Sequence, residues 1–270
     1  MKISNLTKDR IREFLAEGKR FDGRKPLDFR KIEIETGVSK FAEGSVRVKI
    51  GDTEVVAGVK LDVTEPYPDS EDEGTLITTV ELLPLSSPKY EPGPPRIEAI
   101  ELARIVDRGI RESGLIDFSK LCIEKGEKVY GVFVDIYSIN DAGNLIDASC
   151  LAAVSALQIA RMPKYDAKKE KVKHGEFTSE TLPLTKAAPI TVTFYKIGNK
   201  ILVDPTEEED EASDGRVSIA LSKKTGKKED ILINAVQKGK TGTFKEEELF
   251  KIIDLAVEKA EELEEAIKIK

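Results

Sequence analysis

Strand patterns fall in two blocks, each followed by a helix, and this order constrains the fold more than any other feature of the chain. In the first block, Ile32–Val38, Val46–Ile50, Glu54–Val63 and Thr75–Leu83 alternate apolar and polar residues, with Gly51-Asp52 as a turn. Pro92-Gly93-Pro94-Pro95 cannot be helical and delivers the chain to a helix from about Ile97 to Ser113. A strand over Tyr130–Ile139 and a small-residue helix over about Leu145–Arg161 complete the block. The second block runs through Ile190–Ile197, Lys200–Val203, Val217–Leu221 and Ile231–Val236. Its helix opens on a Thr243–Glu246 capping box and carries the stripe Leu249, Ile252, Ile253, Ala256, Val257, Ala260 and Leu263. Strands that precede a helix in each block argue α+β rather than doubly wound α/β. A length of 270 residues suits two lobes, 1–185 with a leading helix and 186–270. That leading helix shows Ile11, Phe14, Leu15 and Gly18 at helical spacing with Thr7 as its cap, and the charge-dense Lys164–Lys173 reads as a linker.

Composition removes several function classes. Two cysteines, Cys122 and Cys150, exclude a disulfide framework and a four-cysteine zinc site. A single histidine, His174, excludes multi-histidine metal cages, so neither a metal nor a cofactor is expected. No run of about 20 apolar residues occurs, so the expectation is a cytoplasmic protein without a membrane partner. Lys+Arg total 43 and Asp+Glu 50, and a net charge of −7 argues mildly against a nucleic-acid partner.

Three places could carry chemistry. On the helix after the prolines, Leu102, Ile105, Val106 and Ile110 form one arc, while Arg104, Arg108 and Arg111 cluster on the opposite side. The ordinary reading is a solvated face paired with Glu101, Asp107 and Glu112. The functional reading is a row of guanidiniums spaced for successive phosphates of a strand. Between Asp204 and Asp214, seven carboxylates stand within eleven residues, which suits either a solvated acidic loop or a Mg²⁺ site. The turn Asp141-Ala142-Gly143-Asn144 opens a helix, but Leu145 and Ile146 offer no side-chain donors and Asp147 adds a negative charge. Capping by Asn144 or Asp147 is the simpler expectation there.

Taken together, Arg20-Phe21-Asp22-Gly23-Arg24, the strand pair from Gly44-Ser45 to Gly58, Glu91-Pro92-Gly93-Pro94-Pro95 with Ala99-Ile100-Glu101-Leu102-Ala103-Arg104, and Asp141–Leu157 resemble the RNase PH family. More narrowly they resemble its non-catalytic ring subunits of the archaeal exosome, the forty-two type. The resemblance implies two lobes, each with a mixed β-sheet and flanking helices. It implies pairing with a catalytic RNase PH-like subunit, three heterodimers closing into a ring, and a trimeric cap of RNA-binding subunits. The assembly would degrade single-stranded RNA from its 3′ end by phosphorolysis.

Catalytic members of that family carry a Gly-Gly-Thr/Ser-Arg turn for phosphate, which aligns here with Gly143, Asn144, Leu145 and Ile146. They also carry a carboxylate six residues beyond the acid matching Asp210, where this chain has Arg216. Both departures imply a chain with no catalytic residues of its own. The rival expectation, a self-sufficient phosphorolytic exoribonuclease, would need both groups. The same resemblance makes Arg104 and Arg108 RNA-binding residues beside the partner's active site, with Arg111 a third member.

Overall fold

The computed structural model describes residues 3–223 and 230–267. Helix α1 (Asn5–Ala16) begins earlier than Thr7 suggests, because Ser4 is its N-cap and accepts the Thr7 N–H at 3.1 Å. Ile11 and Leu15 are its buried residues.

The first sheet opens with an antiparallel run of β1 (Ile32–Thr36), β2 (Gly44–Ile50) and β3 (Thr53–Thr64). β4 (Thr75–Leu82) leads through the proline segment into α2 (Ile97–Ser113), followed by the short β5 (Cys122–Glu124) and the long β6 (Lys128–Asn140). The strand order is β1-β2-β3-β6-β4, with β5 pairing to β6. β4 and β6 run parallel, a pairing that needs a crossover, and α2 supplies it. β2 and β3 bury alternate residues such as Val46, Val48, Val55, Ala57 and Val59 on one face.

Helix α3 (Leu145–Ile159) is buried from Ile146 through Leu157. It lies on β2 and β3 on one side and meets the second sheet on the other. Small residues allow this: a Cβ on Gly44 of β2 would sit 2.2 Å from the Ala156 carbonyl oxygen. The segment expected to be a linker is instead a hairpin of β7 (Arg161–Asp166) and β8 (Lys171–Thr181). Among its charge-rich residues only Pro163 and Val172 are buried, so a two-stranded ribbon held by backbone pairing leaves little hydrophobic pattern to read.

The second sheet comprises β9 (Ile190–Ile197), β10 (Lys200–Val203), and, after the short α4 (Glu207–Ala212), β11 (Gly215–Lys223) and β12 (Ile231–Gly239). Its order is β10-β9-β11-β12, antiparallel throughout. Helix α5 (Glu246–Ile267) covers β9 and β11. Its start is not a Thr243–Glu246 box: the Lys245 N–H donates to the Glu248 carboxylate at 2.8 Å. Ile252, Ala256 and Leu263 of the expected stripe are buried, whereas Leu249 is exposed. Both sheets share one apolar core through α2 and α3.

Candidate functional site

α2 is amphipathic in the expected sense. Leu102, Ile105, Val106 and Ile110 are buried, Gly114 ends the helix at φ 66°, and Arg104, Arg108 and Arg111 are exposed. The arginines differ in their surroundings. Arg111 is bound to Asp107 at 3.0 Å and donates to the Leu76 carbonyl at 3.0 Å, tying it to β4. Glu101 is engaged by Arg216 of β11 at 2.6 Å. Arg104 and Arg108 have no ion pair or hydrogen bond among the described residues. The self-paired face expected from composition therefore holds for Arg111 and fails for its two neighbours.

α2 also separates two grooves. One, of about 830 Å³, lies toward β4 and is lined by all three arginines. The other, of about 500 Å³, lies toward β12 and takes Arg104 and Arg108 together with Gln237, Lys238 and Lys240. The β12 residues were not among those singled out in the sequence. Their alternating strand pattern reports a sheet edge and carries no sign of the helix it faces.

The acidic segment is folded into the structure rather than left as a solvated loop. Asp204 is fully buried, and its carboxylate accepts from Arg24 Nη1 at 2.8 Å, Arg30 Nη2 at 2.7 Å, the Arg30 backbone N–H at 2.8 Å and Asn144 Nδ2 at 3.1 Å. Arg20, also buried, forms a two-pronged pair with Glu209 and donates to the Asp204 carbonyl at 2.7 Å. Thr206 and Glu209 form a reciprocal capping box on α4. The Arg20–Arg30 segment is thus a clasp holding the second lobe to the turn before α3. No group of three or more His, Cys, Asp or Glu residues among the described residues is arranged to hold a metal ion.

That turn is tightly enclosed. Gly143 has φ 94°, and a Cβ there would meet the Pro205 carbonyl oxygen at 2.4 Å. Arg30 donates to the Ala142 and Gly143 carbonyls, each at 3.0 Å, and Thr53 Oγ1 donates to the latter at 2.6 Å. Asn144 is the N-cap residue, yet its side chain makes no cap hydrogen bond. Asp147, the other expected cap, accepts from Thr193 Oγ1 at 2.6 Å and from the Thr193 N–H at 3.2 Å. It joins α3 to β9. Burial pushes the Asp147 pKa up to about 7, against the opposing hydrogen bonds of Thr193 and Asn144.

Leu145, Ile146, Asp210 and Arg216 come together around a third cavity of about 760 Å³, roofed by Pro92–Pro95. Each of the four cations among the described residues lining it already has a carboxylate: Lys89 with Asp141 at 2.6 Å, Lys240 with Asp210 at 2.7 Å, Arg216 with Glu101, and Arg96 with Glu91. Burial opposes the charge on Lys89, but the hydrogen bond and charge of Asp141 outweigh it and raise the ammonium pKa. Burial beside Asp141 likewise raises the Tyr90 phenol, which donates to that carboxylate at 2.7 Å.

The family model for the 3′ exoribonuclease family matches residues 28–163 with its first domain and 187–259 with its second. The chain belongs to the RNase PH family. It is 47% identical to the exosome complex component Rrp42 of Methanosarcina acetivorans, over 97% of this chain and 93% of that protein. With the Rrp42 of Pyrococcus furiosus it shares 45% identity over 98% and 94% of the two chains. Among solved structures it superposes on a chain of the Archaeoglobus fulgidus exosome with RNA bound to the active site. The TM-score is 0.87, with 43% identity and 98% coverage of both chains. An archaeal exosome core chain matches at a TM-score of 0.84 and 41% identity, covering 98% of this chain and 97% of that one. The two-lobed RNase PH-like fold expected from the sequence is the one observed.

Proposed function

We propose that this chain is a non-catalytic ring subunit of an RNA exosome. It pairs with a catalytic RNase PH-like subunit, three such heterodimers close the ring, and a trimeric cap of RNA-binding subunits sits on one face. In this reading the two lobes divide as 1–185 and 186–270, and the complex acts in the cytoplasm. The chain holds single-stranded RNA through Arg104 and Arg108 while the partner carries out 3′-to-5′ phosphorolysis.

One observation carries the reading. The two unpaired guanidiniums of α2 stand apart from the cavity at Leu145 and Ile146, whose cations are already neutralised. A phosphate entering that cavity would have to displace a carboxylate from Lys89, Arg96, Lys240 or Arg216 and would find no hydroxyl or guanidinium at positions 145 and 146. Arg111 takes a smaller share, because it must first release Asp107.

The test is to incubate the purified chain alone, and then with its catalytic partner, on 3′-labelled RNA with inorganic phosphate. Nucleoside diphosphate should appear only in the mixture. Release by the isolated chain would make it a self-sufficient exoribonuclease and overturn the proposal. In the complex, Arg104→Glu with Arg108→Glu should weaken RNA binding, and unchanged binding and turnover at moderate salt would remove their assigned role.

A further inference from the structure

We propose that single-stranded RNA runs along the β12 side of α2, with Lys238 a phosphate contact across the groove from Arg104 and Arg108. The inference rests on the reading above of those two arginines as RNA contacts, and it adds the path of the strand and a residue on a different element.

Arg104 and Arg108 border both grooves, so they do not choose between them. The remaining charges do. Toward β4, the lining adds Arg111 but also Glu81, Asp107, Glu112 and Asp135, which gives four carboxylates against three guanidiniums. A polyanion entering there meets a net negative wall, and its extra cation is already bound to Asp107. Toward β12, the only carboxylate among the described lining residues is Glu101, which is held by Arg216 at 2.6 Å. Lys240 on that side is offset by Asp210. Lys238 is different: its ammonium donates to the Lys240 carbonyl at 2.7 Å and has no ion pair among the described residues. Arg104, Arg108 and Lys238 are therefore three uncompensated cations around one groove.

The apolar lining fits the same occupant. Ile97 is 71% exposed, Ile100 45% and Val236 56%, an unusual accumulation beside three free cations. A nucleotide offers both faces this groove needs, phosphate for the cations and a flat base for the apolar wall. Lys238 is exposed on an edge strand, so shortening it leaves the core closed.

The experiment uses the complex with the catalytic partner in phosphate-free buffer, so that RNA is bound and not degraded. Binding of a short fluorescent single-stranded RNA is followed by anisotropy across a salt series. Lys238→Ala should weaken binding several-fold and make the slope of log affinity against log salt shallower by roughly 0.7, the loss of one single-strand phosphate contact. Lys238→Arg should restore both, and Glu112→Gln on the β4 side should alter neither. A Lys238→Ala complex with unchanged affinity and slope overturns the path while leaving the arginine reading intact, provided the Arg104→Glu, Arg108→Glu complex binds weakly. Tighter binding by Glu112→Gln would put the strand on the β4 side. If the double arginine variant binds normally, the reading and the path fail together.

Discussion

Replacing Asp204 by Asn tests how the two lobes are held together. The substitution keeps the side-chain size and suits the backbone, since Asp204 has φ 46° and asparagine tolerates that left-handed region well. What it removes is the charge. In the native protein, Arg24 and Arg30 are only 15% and 13% exposed, and both place N–H groups on the Asp204 carboxylate at 2.7–2.9 Å. The amide would turn its own N–H donors toward those guanidiniums, leaving the largely buried Arg30 without a carboxylate and Arg24 with Asp22 alone. Breaking a buried ion pair from one side costs about 3–5 kcal/mol. For a chain of this length, each kcal/mol lowers Tm by about 2–4 °C, so a fall of about 10 °C is expected. Urea titration followed by circular dichroism at pH 7 should show the midpoint fall with an unchanged slope, since the surface exposed on unfolding is the same. Glu33→Gln removes an exposed pair with Lys31 and serves as the control that should leave the midpoint in place. A stability loss below about 1 kcal/mol for Asp204→Asn would refute the clasp as a structural tie.

Other perturbations address the turn and the buried carboxylates. Burial raises the Asp147 pKa in the folded state to about 7 from the usual carboxylate range, so between about pH 4 and 7 the native state holds a proton that the unfolded chain has lost. This residue's contribution to stability falls as pH rises through that window, by at most about 1.4 kcal/mol per unit. A pH series of unfolding midpoints for Asp147→Asn should lack that component, and an unchanged profile would refute the raised pKa. Gly143→Ala combines a φ of 94° with a Cβ 2.4 Å from the Pro205 oxygen, and should lose more than about 2 kcal/mol in thermal unfolding. Thr206→Ala breaks the capping box of α4 and should lower stability by about 1 kcal/mol, measured by the same urea titration.

Where the pattern is periodic and the burial one-sided, the sequence was sufficient. α2 spans Ile97–Ser113 as its apolar spacing and the preceding prolines require, and β9 and β10 fall at their expected residues around Gly198. Local motifs were less decisive. Thr206-Glu207-Glu208-Glu209 and Thr243-Phe244-Lys245-Glu246 both match a capping box, yet only the first forms one, because the second helix takes its cap contact from Glu248. The β7–β8 hairpin went unread because its pairing is made by backbone groups that any residue carries.

The arginine stripe shows the division most clearly. Helical spacing alone puts Arg104, Arg108 and Arg111 on one exposed face, since 3.6 residues per turn leaves no other arrangement once Leu102, Ile105 and Ile110 turn inward. Which of them keeps a free charge depends on neighbours from other elements: the Leu76 carbonyl joins Asp107 on Arg111, and Arg216 removes Glu101. The same holds for the acidic run at Asp204–Asp214. Its charge density is a property of composition, but burial at Asp204 and Glu209 depends on three arginines more than 170 positions away. Periodicity is a local property that the chain carries wherever it goes. Electrostatic pairing is a property of distance in space, and only the packed lobes decide it.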